Sequence, residues 1–185
     1  MKPPTPHSED VLARASKIKL LLMDCDGVLT DGRIYFLPNP DGTVGETKCF
    51  DTHDGIALQW AYRNGIDTGI ISGRGGIAVQ ERARSAHMRF LFEGNTEKLP
   101  LFNQIVTETG YAPEEIAYVG DDVTDLPILK RAGLSAAPSN SRQEILDLVH
   151  YRIPAAGGSG AVREVIELLL KAQGKWDGVW SHYDV

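Results

Sequence analysis

Lys19-Leu20-Leu21-Leu22-Met23-Asp24-Cys25-Asp26-Gly27-Val28-Leu29-Thr30-Asp31-Gly32 is the stretch whose reading decides the fold. Its short apolar run has the character of a buried strand. The run ends in a carboxylate, one spacer, a second carboxylate and a glycine. Side chains alternate along a strand, so Asp24 and Asp26 point the same way while the chain stays extended. Cys25, between them, points to the opposite face, into the core. Two like charges held this close are costly unless a cation or a shared proton compensates them. Gly27 lets the backbone turn where a side chain would obstruct it.

Outward from this stretch, strands and helices alternate. A short helix is expected over Glu9 to Ser16, after a loose, proline-bearing arm at residues 1–8. Two strand-like runs around Pro38-Asn39-Pro40-Asp41-Gly42 predict a β-hairpin over about 33–50, inserted beside the carboxylate pair. A helix follows to about Arg63, with Asp54 as its expected N-cap. Further strands are expected at Ile66–Ile71, Arg89–Phe92, Ile116–Val119, Leu134–Ala137 and Tyr151–Ile153. Helices are expected at Ile77–Ala86, Glu97–Thr109, about Thr124–Ala132, Ser141–Val149 and Ala161–Ala172. Gly157-Gly158-Ser159-Gly160 looks like a flexible break, and 174–185 like an aromatic tail. This alternation predicts one α/β domain over 1–185, a three-layer, Rossmann-like, mainly parallel sheet with helices on both faces. Ligands of such sheets sit at the carboxyl ends of the strands. Three strands end there in polar clusters: Asp24/Asp26, Ser72 and Asp121/Asp122.

The bulk composition narrows the partners. The chain has 185 residues, 42% hydrophobic and 24% charged, with a net charge of -6. An acidic chain has no basic face for nucleic acid or for a membrane surface. No apolar run approaches the roughly 20 residues of a membrane span. Met1 to Asp10 shows no signal-peptide pattern. Two cysteines, Cys25 and Cys49, make no disulfide framework, so a reducing, cytoplasmic setting is expected.

The polar clusters suit phosphoryl transfer. Asp24, Asp121 and the backbone carbonyl of Asp26 would offer three oxygens to magnesium, leaving positions for water and a phosphate oxygen. Asp24 would serve as nucleophile and Asp26 as general acid and base. Ser72 would donate its hydroxyl to the phosphate, and Lys98 would neutralise a second phosphate oxygen. Asp122 and Asp125 suit either helix N-termini or support of the metal. Arg74 suits either a solvated loop or a substrate carboxylate.

Asp24-Cys25-Asp26-Gly27-Val28-Leu29-Thr30-Asp31-Gly32, Ile70-Ile71-Ser72-Gly73-Arg74, Lys98 and Gly120-Asp121-Asp122-Val123-Thr124-Asp125 resemble, in order, the four motifs of the haloacid dehalogenase-like phosphatases. The resemblance covers about residues 15–172. The Thr30-Asp31-Gly32 extension, a hairpin in place of a cap domain, and Gly157 to Glu164 are similar to a branch that hydrolyses sugar-acid phosphates in lipopolysaccharide biosynthesis. The resemblance implies a magnesium-dependent phosphomonoesterase working through an aspartyl-phosphate, on an eight- or nine-carbon substrate. It also implies a homotetramer whose hairpins form a central barrel and whose neighbouring subunits close each site.

Gly75-Gly76 departs from the bulkier residues of that pattern, and so does the tail from Trp176. A receiver domain also phosphorylates an aspartate beside magnesium, but lacks the second aspartate that Asp26 supplies. A noncatalytic oligomerisation module would not need every motif intact.

Overall fold

The computed structural model describes residues 7–184. The expected arm at 1–8 lies outside them apart from His7 and Ser8. In chain order the elements are α1 (Glu9–Ala15), β1 (Leu20–Met23), β2 (Tyr35–Pro38), β3 (Val44–Thr47), α2 (Thr52–Arg63), β4 (Asp67–Ile71), α3 (Ile77–Ser85) and β5 (Phe90–Phe92). Then come α4 (Leu99–Thr109), β6 (Ile116–Val119), α5 (Leu126–Leu129), β7 (Leu134–Ala137), α6 (Gln143–Leu146), β8 (Tyr151–Arg152), α7 (Ala161–Ala172) and α8 (Trp176–Tyr183).

Six strands form one parallel sheet in the order β5-β4-β1-β6-β7-β8. β1 lies inside it, paired to β4 on one side and β6 on the other. All four of its residues are buried. Leu21 and Met23 join one core layer with α1, α2, α3 and α7. Leu20 and Leu22 join the other, with Phe102, Ile105, Ile128 and Leu129 of α4 and α5. A strand buried on both faces needs an uninterrupted apolar run, which explains its sequence. The chain passes from β1 to β4 and β5, then returns to β6 on the far side of β1. The strand order therefore reverses between β1 and β6, the crevice where such sheets bind ligands.

Several local details differ from expectation. The cap of α2 is Asp51, whose carboxylate accepts the N–H groups of His53 and Asp54. Asp54 is buried and accepts the N–H of Arg163 at 2.7 Å, tying α2 to the start of α7. The helix expected over 124–132 is a 3-10 turn, Val123–Asp125, followed by the four residues of α5. It stops because Gly133 must reach the carbonyls of Pro113 and Ile116. α6 stops at Leu146, whose carbonyl accepts Arg152 Nε at 2.7 Å.

The aromatic tail is ordered and packs on α2. It forms α8, with Trp176 edge-on to Trp60 at 5.7 Å and Tyr183 accepting a hydrogen bond from Trp60 Nε1 at 3.1 Å. The hairpin β2–β3 forms as expected and stands apart from the large sheet. Among the described residues no helix is long and apolar enough to cross a membrane.

Candidate active site

The crevice at the carboxyl edge of the sheet has a volume near 440 Å³ and is lined by Asp24, Asp26, Ser72, Arg74, Thr96, Lys98 and Thr124, among others. Parallel strands all end at one edge, so β1, β4 and β6 deliver their polar ends to it together. A larger hollow of about 620 Å³ lies by β8 and α7. Its basic side chains are paired with acids: Arg152 with Asp147 and Lys171 with Glu167. Size does not make it the better candidate.

Asp24 leaves β1 with its N–H on the carbonyl of Val119, so β6 fixes its backbone. Its Oδ1 accepts the N–H of Cys25 at 2.6 Å, and its Oδ2 lies 2.8 Å from Lys98 Nζ. Gly27 has φ of 80°. A Cβ there would run into the Asp121 carboxylate, so the turn after β1 and the end of β6 approach too closely for any other residue. Below this turn Asn140 donates to the Gly27 carbonyl and accepts from Gly157, and Gly158 donates to the Val28 carbonyl. The segment expected as a flexible break is packed backbone support for the turn.

Asp125 is the hub. It is fully buried, and its Oδ1 takes Lys98 Nζ at 2.7 Å and the Tyr118 hydroxyl at 2.6 Å. Its Oδ2 takes the N–H groups of Asp121 and Asp122. Asp125 thus holds Lys98 and the Asp121 loop in one frame. Asp122 turns its exposed carboxylate to the N–H of Val123 and so caps the 3-10 turn. It stands outside the carboxylate cluster of Asp24, Asp121 and Asp125, so of its two expected roles the structure shows the cap.

Asp24, Asp121 and Asp125 can each place an oxygen within 4.8 Å of the others. Burial, then the Asp125 charge, pushes Asp24 up to about 6. Burial, then Asp125 and Asp24, pushes Asp121 up to about 7. Lys98 opposes both shifts but leaves the cluster short of positive charge. The Asp121 carboxylate has no hydrogen-bond donor among the described residues. This donor set, all oxygen and offset by a single ammonium, fits a hard divalent cation such as magnesium. Burial works against the charge on Lys98, yet Asp125 and Asp24 hold its pKa above the ordinary value.

Ser72 is buried at the end of β4 and accepts the N–H of Arg74 at 3.2 Å, leaving its own proton free to donate. Arg74 is half exposed, with Nη1 3.7 Å from Glu46 of β3. Gly75 and Gly76 have a local reason: Glu93 crosses above them. Its carboxylate accepts Gly76 N–H at 2.8 Å and Gln80 Nε2 at 2.9 Å, capping α3 where Gly76 has no side chain to do so. A Cβ on Gly75 would strike Glu93. Cys25 is buried as expected, and burial pushes its thiol up to about 12, which leaves it unreactive.

Asp26 opens onto the same crevice as Asp24. Both its oxygens are bound by Lys48 Nζ, at 2.6 and 2.8 Å. Lys48 is not legible in the sequence: one lysine at the end of an exposed hairpin carries no signal. Tyr118 and Asn140, also not legible, sit within strand and loop patterns that packing alone explains.

A profile of haloacid dehalogenase-like hydrolases matches residues 84–166. The chain is 41% identical over 172 residues to 3-deoxy-D-manno-octulosonate 8-phosphate phosphatase KdsC from Escherichia coli (strain K12), covering 93% of this chain and 89% of that one. It superposes with TM-score 0.89 and 37% identity on the crystal structure of 3-deoxy-D-manno-octulosonate 8-phosphate phosphatase from Yersinia pestis, covering 94% of this chain and 91% of that one. It superposes with TM-score 0.90 and 36% identity on the enzyme of that name from Moraxella catarrhalis, solved with magnesium ion, phosphate ion and a KDO molecule, covering 96% of this chain and 99% of that one. The chain belongs to the haloacid dehalogenase-like hydrolases, in the phosphatase group that these relatives represent.

Proposed function

We propose that the chain is a magnesium-dependent phosphomonoesterase for 3-deoxy-D-manno-octulosonate 8-phosphate. The observation that carries the phosphatase chemistry is the buried frame Asp24–Lys98–Asp125, with Asp121 beside it and Asp26 facing the same crevice; the similarity to the relatives named above supports the substrate. Asp24 and Asp121, with the backbone carbonyl of Asp26, would hold the ion. When bound, it supplies positive charge that offsets the repulsion between Asp24 and a phosphate dianion.

Asp24 forms a bond to phosphorus as the bond to the sugar oxygen breaks, and Asp26, which enters this step as the protonated acid and leaves it as the carboxylate, gives that oxygen its proton. Asp26 then takes a proton from the water that attacks the aspartyl-phosphate, releasing phosphate and restoring Asp24. Lys98 and Ser72 hold phosphate oxygens, and Arg74 at the mouth takes the sugar-acid carboxylate. Asp125 positions Lys98, and Asp122 shapes the turn beneath Asp121.

We place residues 1–185 in one catalytic domain and the protein in the cytoplasm, where its thiols stay reduced. The working form is a homotetramer. Phe36 and Val44 of the hairpin are each 65% exposed, an apolar surface that association would bury.

The test is phosphate release from a panel of sugar and sugar-acid phosphates, with and without magnesium. The reading expects the highest kcat/KM for 3-deoxy-D-manno-octulosonate 8-phosphate. A preference for a nine-carbon sugar acid 9-phosphate would reassign the substrate. No hydrolysis of any member would make the chain a noncatalytic module.

A further inference from the structure

The hairpin β2–β3 is largely exposed, yet the residue that leaves it is not: the Lys48 side chain is 2% exposed. Burying a lysine is costly unless its charge is paired and hydrogen-bonded. Lys48 spends its ammonium on one group, donating to both oxygens of Asp26 at 2.6 and 2.8 Å. Asp26 needs such a partner. It lies past the end of β1, in a turn whose backbone fixes Asp24 but not a side chain two residues on. A carboxylate gripped at both oxygens has its rotamer and its plane set, as an isolated one does not.

We infer that Lys48 is a positioning residue that acts through Asp26. It holds the carboxylate, the form that takes the proton of the attacking water, towards the crevice and so joins the seating of the hairpin to the geometry of that transfer. The inference rests on Asp26 being the general acid and base. Glu46 and Lys48 are two residues apart, so the same edge of the hairpin reaches both Arg74 and Asp26.

The experiment is a double-mutant cycle on kcat and KM, using a sugar-acid phosphate that the parent hydrolyses, with magnesium present. Asp26→Asn alone should lower kcat by about 10²–10⁴-fold. Lys48→Met, which keeps the volume of the stem, should lower kcat by about 10–10²-fold with KM nearly unchanged, the scale of a misplaced catalytic group. Lys48→Arg should restore part of that loss. Lys48→Met should add little to Asp26→Asn, because the group it positions is already gone. Should Lys48→Met not fold, Lys48→Gln takes its place in the cycle. Losses that simply multiply in the double variant, a rise in KM alone, or an unchanged kcat would overturn the role of Lys48. An unchanged kcat in Asp26→Asn would instead overturn the role of Asp26.

Discussion

Lys98 stands 2.8 Å from Asp24 at the floor of the crevice, its side chain 1% exposed. The same ammonium holds Asp125 at 2.7 Å. Lys98→Met would leave two buried carboxylates without their counter-charge. Removing one partner of such a group costs about 3–5 kcal/mol. Denaturant melts of the variant should therefore show a clearly lower midpoint, and turnover should fall by about 10²–10³-fold. An unchanged midpoint would show that Lys98 does not balance the frame.

The two raised carboxyls set a pH dependence. Burial first, then neighbouring carboxylates, moves Asp24 from 3.8 to about 6 and Asp121 from 3.8 to about 7. In this window the folded protein keeps protons that the unfolded chain has lost. Their stabilising contribution is therefore full below the unfolded value and is lost as pH rises through about 6 and 7. In EDTA, thermal melts from about pH 4 to about pH 8 should fall less steeply for Asp121→Asn than for the parent. Parallel curves would contradict the assignment.

Magnesium at this cluster would stabilise the folded state by mass action. Chelation should abolish turnover, and magnesium should restore it and raise the melting temperature. Calcium, which prefers larger and looser coordination, should substitute poorly in turnover. Full activity in excess EDTA would remove the ion from the account.

Tyr35, Phe36 and Leu37 are exposed on β2. Changing Tyr35 and Phe36 together to Asp should convert the proposed tetramer to smaller species in light scattering and reduce turnover. A fully active monomer would show that assembly does not complete the site.

The sheet was legible because its strands are short apolar runs that end in turn residues, and parallel strands must bring those ends to one edge. That Asp24, Ser72 and Asp121 would meet at one edge was readable for that reason. Asp125 was not readable as the hub, since an acid in the first turn of a helix looks like a dipole partner; only the approach of Lys98 and Tyr118 distinguishes it. Lys48 was hidden because its partner lies 22 residues away across a hairpin. The helix α8 was hidden because its order comes from Trp60 on α2 rather than from its own sequence.

Asp24→Asn tests the central claim most directly. The substitution keeps the shape of the side chain and removes its charge and nucleophilicity. Phosphate release from 3-deoxy-D-manno-octulosonate 8-phosphate with magnesium should be undetectable in the variant, while its circular dichroism and melting remain those of a folded protein. Turnover close to that of the parent would contradict attack by Asp24 on phosphorus.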